Sequence, residues 1–181
     1  GIKNSAVGEN TLATNTTGSG NVSVGHNALY SNTTANDNVA LGKDSLYTNT
    51  TGANNTAVGK DAMYNNTASD NTAVGKGALQ ANTTGTRNLA IGTNALDAAT
   101  TVNDNTAIGH DALTANTSGF KNTAVGSGAG EGNTEGDNLV AVGFNAAENN
   151  TTADDNTAIG SQALFTNTTG AKNTAVGMSA L

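Results

Sequence analysis

Asn122-Thr123-Ala124-Val125-Gly126 is the visible part of a repeat. Its glycine recurs at Gly8, Gly25, Gly42, Gly59, Gly75, Gly92, Gly109, Gly126, Gly143, Gly160 and Gly177, with nine steps of 17 residues and one, Gly59 to Gly75, of 16. A fixed period over the whole chain decides architecture before local propensity does. With the motif glycine as position 0, a turn reads Asn(−4) Thr(−3) Ala(−2) Val/Ile(−1) Gly(0), two variable residues, Ala(+3) Leu(+4), two more, Asn(+7) Thr(+8) Thr(+9), and a three-residue corner. Position −1 is Val, Ile or Leu in every turn, and −3 is usually Thr, with Val22, Val39, Leu89 and Val140 among the exceptions. That alternation is the mark of a strand. The +4 column, mostly Leu, supplies a second apolar line. The spacing predicts an all-β, parallel β-solenoid of about eleven 17-residue turns, each with two short strands, stacked at ~4.8 Å. An α-solenoid needs a repeat roughly twice as long.

Residues 1–181 read as one repeat array, in which each turn touches mainly its neighbours. The turn around 127–142 is degenerate, with Gly128-Ala129-Gly130-Glu131-Gly132 and Leu139 where Asn belongs. No polar cap is visible at either end, which reads as a segment of a longer fibre. Hydrophobic residues are 35% and aromatics 3%, so the core is thin. The net charge of −7 argues against a nucleic-acid partner and an anionic membrane surface. No apolar run approaches the ~18 residues of a membrane span. Without cysteine there is no disulfide framework, thiol nucleophile or thiolate metal site.

Ala or Ser holds −2 in every turn. Read as the face opposite a Val-lined core, this small column predicts close packing of a neighbouring chain against Ala40, Ala57, Ala73, Ala90, Ala107, Ala124, Ala141, Ala158 and Ala175. Self-association is a common remedy for a thin core. The Asn columns at −4 and +7 read as structural ladders and left-handed corners. At the corner, +10 alternates between Gly and a residue with a Cβ, and −5 runs Asp70, Arg87, Asp104, Lys121, so like charges are not stacked.

At Asn105-Thr106-Ala107-Ile108-Gly109 and Asn38-Val39-Ala40-Leu41-Gly42 the repeat resembles the head repeats of YadA-type trimeric autotransporter adhesins. The longer string NTAVGxxALxxNTTG is similar to phage tail-fibre and bacterial fibre segments that precede a self-cleaving chaperone domain. This unit is longer than the adhesin repeat, with an added Asn-Thr-Thr corner and Thr for Val at most −3 positions. The resemblance implies a left-handed trimeric roll: an extracellular, non-enzymatic fibre or adhesin segment on a bacterial surface or phage virion. It also implies attachment to a cell-surface protein or glycan.

Chemistry is sparse. His26 and His110 lie five turns apart, roughly 24 Å, and cannot share a ligand. Acids at +2 (Asp44, Asp61, Asp111) and −5 lack the dense glycine pattern of calcium-binding rolls. Gly126–Gly132 lacks the Lys-Ser/Thr of a phosphate loop. The repeat itself generates the Asn-x-Thr/Ser triplets, which carry no message. No catalytic residue, cofactor or metal ligand is assigned. Tyr30, Tyr47 and Tyr64 stack in successive turns and are the candidate ligand-contact residues. The Thr(+8) column, Thr16 to Thr168, opens a second functional reading as an ice-binding solenoid.

Overall fold

A computed structural model describes all residues, 1–181. Eleven three-residue strands form one parallel sheet in chain order. They are β1 (Ser5–Val7), β2 (Val22–Val24), β3 (Val39–Leu41), β4 (Thr56–Val58), β5 (Thr72–Val74), β6 (Leu89–Ile91), β7 (Thr106–Ile108), β8 (Thr123–Val125), β9 (Val140–Val142), β10 (Thr157–Ile159) and β11 (Thr174–Val176). Each motif position sits on its counterpart one turn away: Ala107 pairs with Ala124, and Ala124 with Ala141. The 16-residue step is absorbed outside the strands, since Thr56 still pairs with Thr72. The chain is a parallel β-solenoid. No helix is long and apolar enough to cross a membrane.

Each turn holds one strand, not two. The stretch from +1 to +6 is a run of turns, because the backbone enters positive φ at +2 and again at +4. Leucine at +4 is unusual there: Leu29, Leu46, Leu79 and Leu96 have φ of 48°, 49°, 52° and 54°. A left-handed conformation costs a non-glycine residue about 1–3 kcal/mol. Full burial of the side chain contributes about 1.5–3 kcal/mol in return. The amide of Leu29 also donates to the Ser45 carbonyl of the next turn at 3.0 Å. Left-handed backbone therefore falls at +2, +4 and −5, not at the Asn columns where the corner reading placed it.

Glycine ends each strand because two demands coincide there. Gly59 has φ of +134°, and a Cβ on it would lie 2.5 Å from the carbonyl oxygen of Gly75. Only 20 of 114 backbone hydrogen bonds lie within the strands, so the rod is held mainly by coil-to-coil bonds outside them.

The core is narrow. It consists of Ala(−2), Ala(+3) and Leu(+4), as in Ala107, Ala112 and Leu113. The inward residue of the strand is thus Ala, and the Val column points outward. This inverts the expected packing of Ala40, Ala57, Ala73, Ala90, Ala107, Ala124, Ala141 and Ala158, which are 0% exposed in a single chain, and of Ala175, at 3%. No second chain can reach them. The leucine at +4 fills much of the thin interior, so the strand opposite carries only Ala or, at Ser23, Ser.

Candidate functional surface

The inversion leaves an outward face with two columns. Positions −3 and −1 alternate with buried −2, giving a half-exposed, buried, half-exposed pattern in the middle strands. Val24, Ile91 and Ile159 are 40%, 36% and 41% exposed. The columns lie ~6.7 Å apart across the strand and repeat at ~4.8 Å along the rod. No position in either column carries a charge. Strand alternation joins −3 and −1 on one face, but it does not say whether that face is in or out. The signal that could have found it was the −2 column itself, since a position held to Ala or Ser suits a narrow interior.

The recurring polar groups are used along the axis. The amide hydrogen of Asn105 reaches Asn88 Oδ1 at 3.1 Å, and that of Asn122 reaches Asn105 Oδ1 at 2.8 Å. The Nδ2 of each closes its own coil by donating to the corner carbonyl, as from Asn88 to Val102 at 2.8 Å and from Asn122 to Gly136 at 2.8 Å. The second Asn column does the same locally: Asn116 Nδ2 donates to the Gly119 carbonyl at 2.9 Å. In glycine corners the amide donates back, from Gly119 to Asn116 Oδ1 at 2.9 Å. A Cβ on Gly119 would press to 2.6 Å from that same Oδ1, which accounts for the two kinds of corner. Apart from Asn32, whose buried Oδ1 has no partner, these buried amides are satisfied, so they act as scaffold.

Seven of the ten Thr(+8) hydroxyls are committed too. Thr83 Oγ1 donates to the Thr100 carbonyl at 2.9 Å, and Thr134 Oγ1 to the Thr151 carbonyl at 3.1 Å. This column stitches coils together.

Tyr30, Tyr47 and Tyr64 form a continuous half-buried stack, with centroids 5.2 and 5.0 Å apart and planes within 7° and 6°. Each inner ring face is covered by its neighbour. Burial, then the Tyr47, Asp44 and Asp61 charges, push the Tyr64 phenol above its ordinary pKa.

Charged side chains lie at both ends of the strand. His26 lies 4.0 Å from Glu9 and 4.0 Å from Asp44, while His110 Nδ1 is 2.8 Å from Asp111 Oδ2. Lys43 and Lys60 meet Asp44 and Asp61 at 3.4 and 3.1 Å. Arg87 grips Asp104 through two nitrogens at 2.6 and 2.9 Å. That hydrogen-bonded pairing holds the Asp104 carboxyl below, and the Arg87 guanidinium above, their ordinary pKa values. Elsewhere, Glu131 and Glu148 share a shallow open recess with Thr114 and Gly132. Burial, then repulsion from Asp111 and Glu148, raise the Glu131 pKa, against a lowering by His110. No three His, Asp or Glu side chains converge as a metal-holding group.

Fold and surface together define the class, a parallel β-solenoid repeat protein with one uncharged, mainly β-branched face. No family model matches the chain, nor does any curated protein or solved structure.

Proposed function

We propose that this chain is a non-enzymatic segment of an extracellular fibre, of the adhesin head, shaft or tail-fibre kind, assembled side by side as a homotrimer. Its work is to be long, stiff and protease-resistant, and to hold a surface-attachment function away from a bacterial cell or virion. One observation supports this most directly. The polar columns that recur in every turn are spent on bonds that hold the coil or join it to the next, as along the Asn88–Asn105–Asn122 ladder. Such a rod resists bending and gives a protease no loose loop.

The test is absolute mass by light scattering together with rod length by electron microscopy. A mass near three times 17.8 kDa in an unbranched rod upholds the reading. A monomer overturns the trimer.

A second reading, an ice-binding solenoid, rests on a different observation. The −3 and −1 positions supply two parallel outward columns of β-branched residues, among them Thr106 with Ile108 and Thr123 with Val125. A monomer showing thermal hysteresis and ice shaping would favour it over the fibre.

A further inference from the structure

We infer that the face formed by positions −3 and −1 seats a second copy of this chain, parallel and in register, with the −5 edge of one chain against the +1 edge of its neighbour. The inference rests on the homotrimer reading and names the surface that would carry it.

The face has the anatomy of an interface. Its −1 column is Val, Ile or Leu in all eleven strands, as in Val58, Val74, Ile108 and Val142, and its −3 column is Thr in six of them and Val or Leu in four. It carries none of the chain's 21 charged residues (7 basic and 14 acidic). An unbroken apolar stripe of this kind on a polar chain marks a contact surface. Charged residues flank the stripe at −5 and, through Glu9, Lys43, Lys60 and Lys76, at +1, the arrangement of an apolar centre inside a polar rim, although Phe144 and Met178 are apolar at +1 in later turns.

The rims choose the partner and its direction. Where one turn carries a full charge on both edges, the signs are opposite: Lys3 with Glu9, Asp37 with Lys43, and Asp70 with Lys76. The turn of Asp104 and His110 adds a fourth pair when the histidine is protonated. A copy related by rotation about an axis parallel to the rod sets the −5 edge of one chain beside the +1 edge of the next, at the same height. Every such turn then meets its complement. An antiparallel copy sets like edges together and loses that match. Charge complementarity of this kind fixes register and partner more than raw affinity.

Area points to more than two chains. Three-residue strands stacked over ten intervals give a face of roughly 10 by 50 Å, about 500 Å² in projection. A standard stable interface needs ~800 Å² per partner. Three chains around one axis cover each face with two neighbours and bring the rims into contact.

The experiment measures mass by sedimentation across a concentration series, with circular dichroism as the check on fold. Val125→Lys places a charge at the centre of the face and should reduce the mass to that of one chain while leaving the spectrum unchanged. Thr117→Lys, on the exposed +8 column, should leave the mass at the wild-type value. The rim is tested by Asp70→Lys and Lys76→Asp, each weakening association severalfold at low salt, and by the double swap, which should restore it. These exposed positions report even if Val125→Lys fails to fold. Folded Val125→Lys with wild-type mass overturns the face, and single and double swaps that behave alike overturn the parallel register. In either case the homotrimer reading stands. A wild-type monomer removes both, and one with thermal hysteresis assigns the bare face to ice instead.

Discussion

Leu139 occupies the space that Gly130 leaves open. A Cβ on Gly130 would lie 3.1 Å from Leu139 Cδ2 and 3.1 Å from Leu113 Cδ2. Gly130 stands where most turns have Leu, and Leu139 stands where the others have Asn. The turn of Leu139 is also short at +4, with Ala147. One large side chain has moved from one wall of the core to another. The Asn ladder stops as a result: Leu139 still donates its amide hydrogen to Asn122 Oδ1 at 2.8 Å, but it offers Asn156 no amide oxygen. The bonding resumes from Asn173 to Asn156 at 2.8 Å.

This exchange predicts strong coupling. Leu139→Asn alone should destabilise by about 2–4 kcal/mol, from lost burial and a cavity. Gly130→Leu alone should cost about 1–3 kcal/mol by overpacking against Leu139. The double substitution rebuilds the consensus turn and should be better than the sum by about 1–3 kcal/mol. Urea unfolding of the four proteins measures the difference, and simple additivity would refute the exchange.

Glycines of the repeat differ in what they tolerate. Gly59→Ala meets both a forbidden φ and the Gly75 carbonyl at 2.5 Å, so it should cost several kcal/mol, beyond the ~1–3 kcal/mol of strain alone. At Gly77, φ is +66° and the nearest atom to a Cβ is Asn94 Oδ1 at 3.2 Å, a side-chain atom. Asn and Asp occupy this +2 position in other turns, as at Asn94 and Asp111. Gly77→Ala should therefore cost only about 1 kcal/mol. Thermal melts of the two variants separate the cases.

The tyrosine stack predicts an order of effects. Tyr47 has a ring on both sides and Tyr30 on one. At ~0.5–1.5 kcal/mol per stacked pair, Tyr47→Ala loses roughly twice the stacking of Tyr30→Ala. Ultraviolet titration should also find Tyr64 ionising above its ordinary range, a step that Tyr64→Phe should remove.

Glu131 predicts an inverse dependence on acid. Because burial raises its folded pKa, the ionised form costs stability. Its contribution improves as pH falls from above the raised value to below the ordinary carboxylate range. Glu131→Gln should thus be more stable than wild type at neutral pH, with the gap closing on acidification. A gap that widens in acid would contradict the buried-charge account.

Removing one rung of the ladder tests the scaffold role of asparagine. Asn88→Ala leaves the Asn105 amide and the Val102 carbonyl without their partners. At ~1–3 kcal/mol for each unsatisfied buried group, the loss should be about 2–6 kcal/mol. Hydrogen exchange at Asn105 should rise well above that at Asn122, whose acceptor is intact.

The period, the parallel stacking and a strand within −4 to 0 were legible in the sequence, and the structure trims that strand to −3 to −1. A glycine every 17 residues, an alternating triplet before it and two Asn columns leave few other ways to satisfy the backbone. The second expected strand was not real, because Leu29 and its equivalents take a left-handed backbone that no propensity for leucine suggests. The larger decision, which side of the strand faces in, belonged to the tertiary structure. Alternation puts Ala124 opposite Thr123 and Val125 but treats the two sides alike. Hydrophobicity favoured a Val-lined core. A coil only 17 residues around is too thin to hold Leu113 and a valine side chain as well, so the alanine goes inside and the valines line the surface.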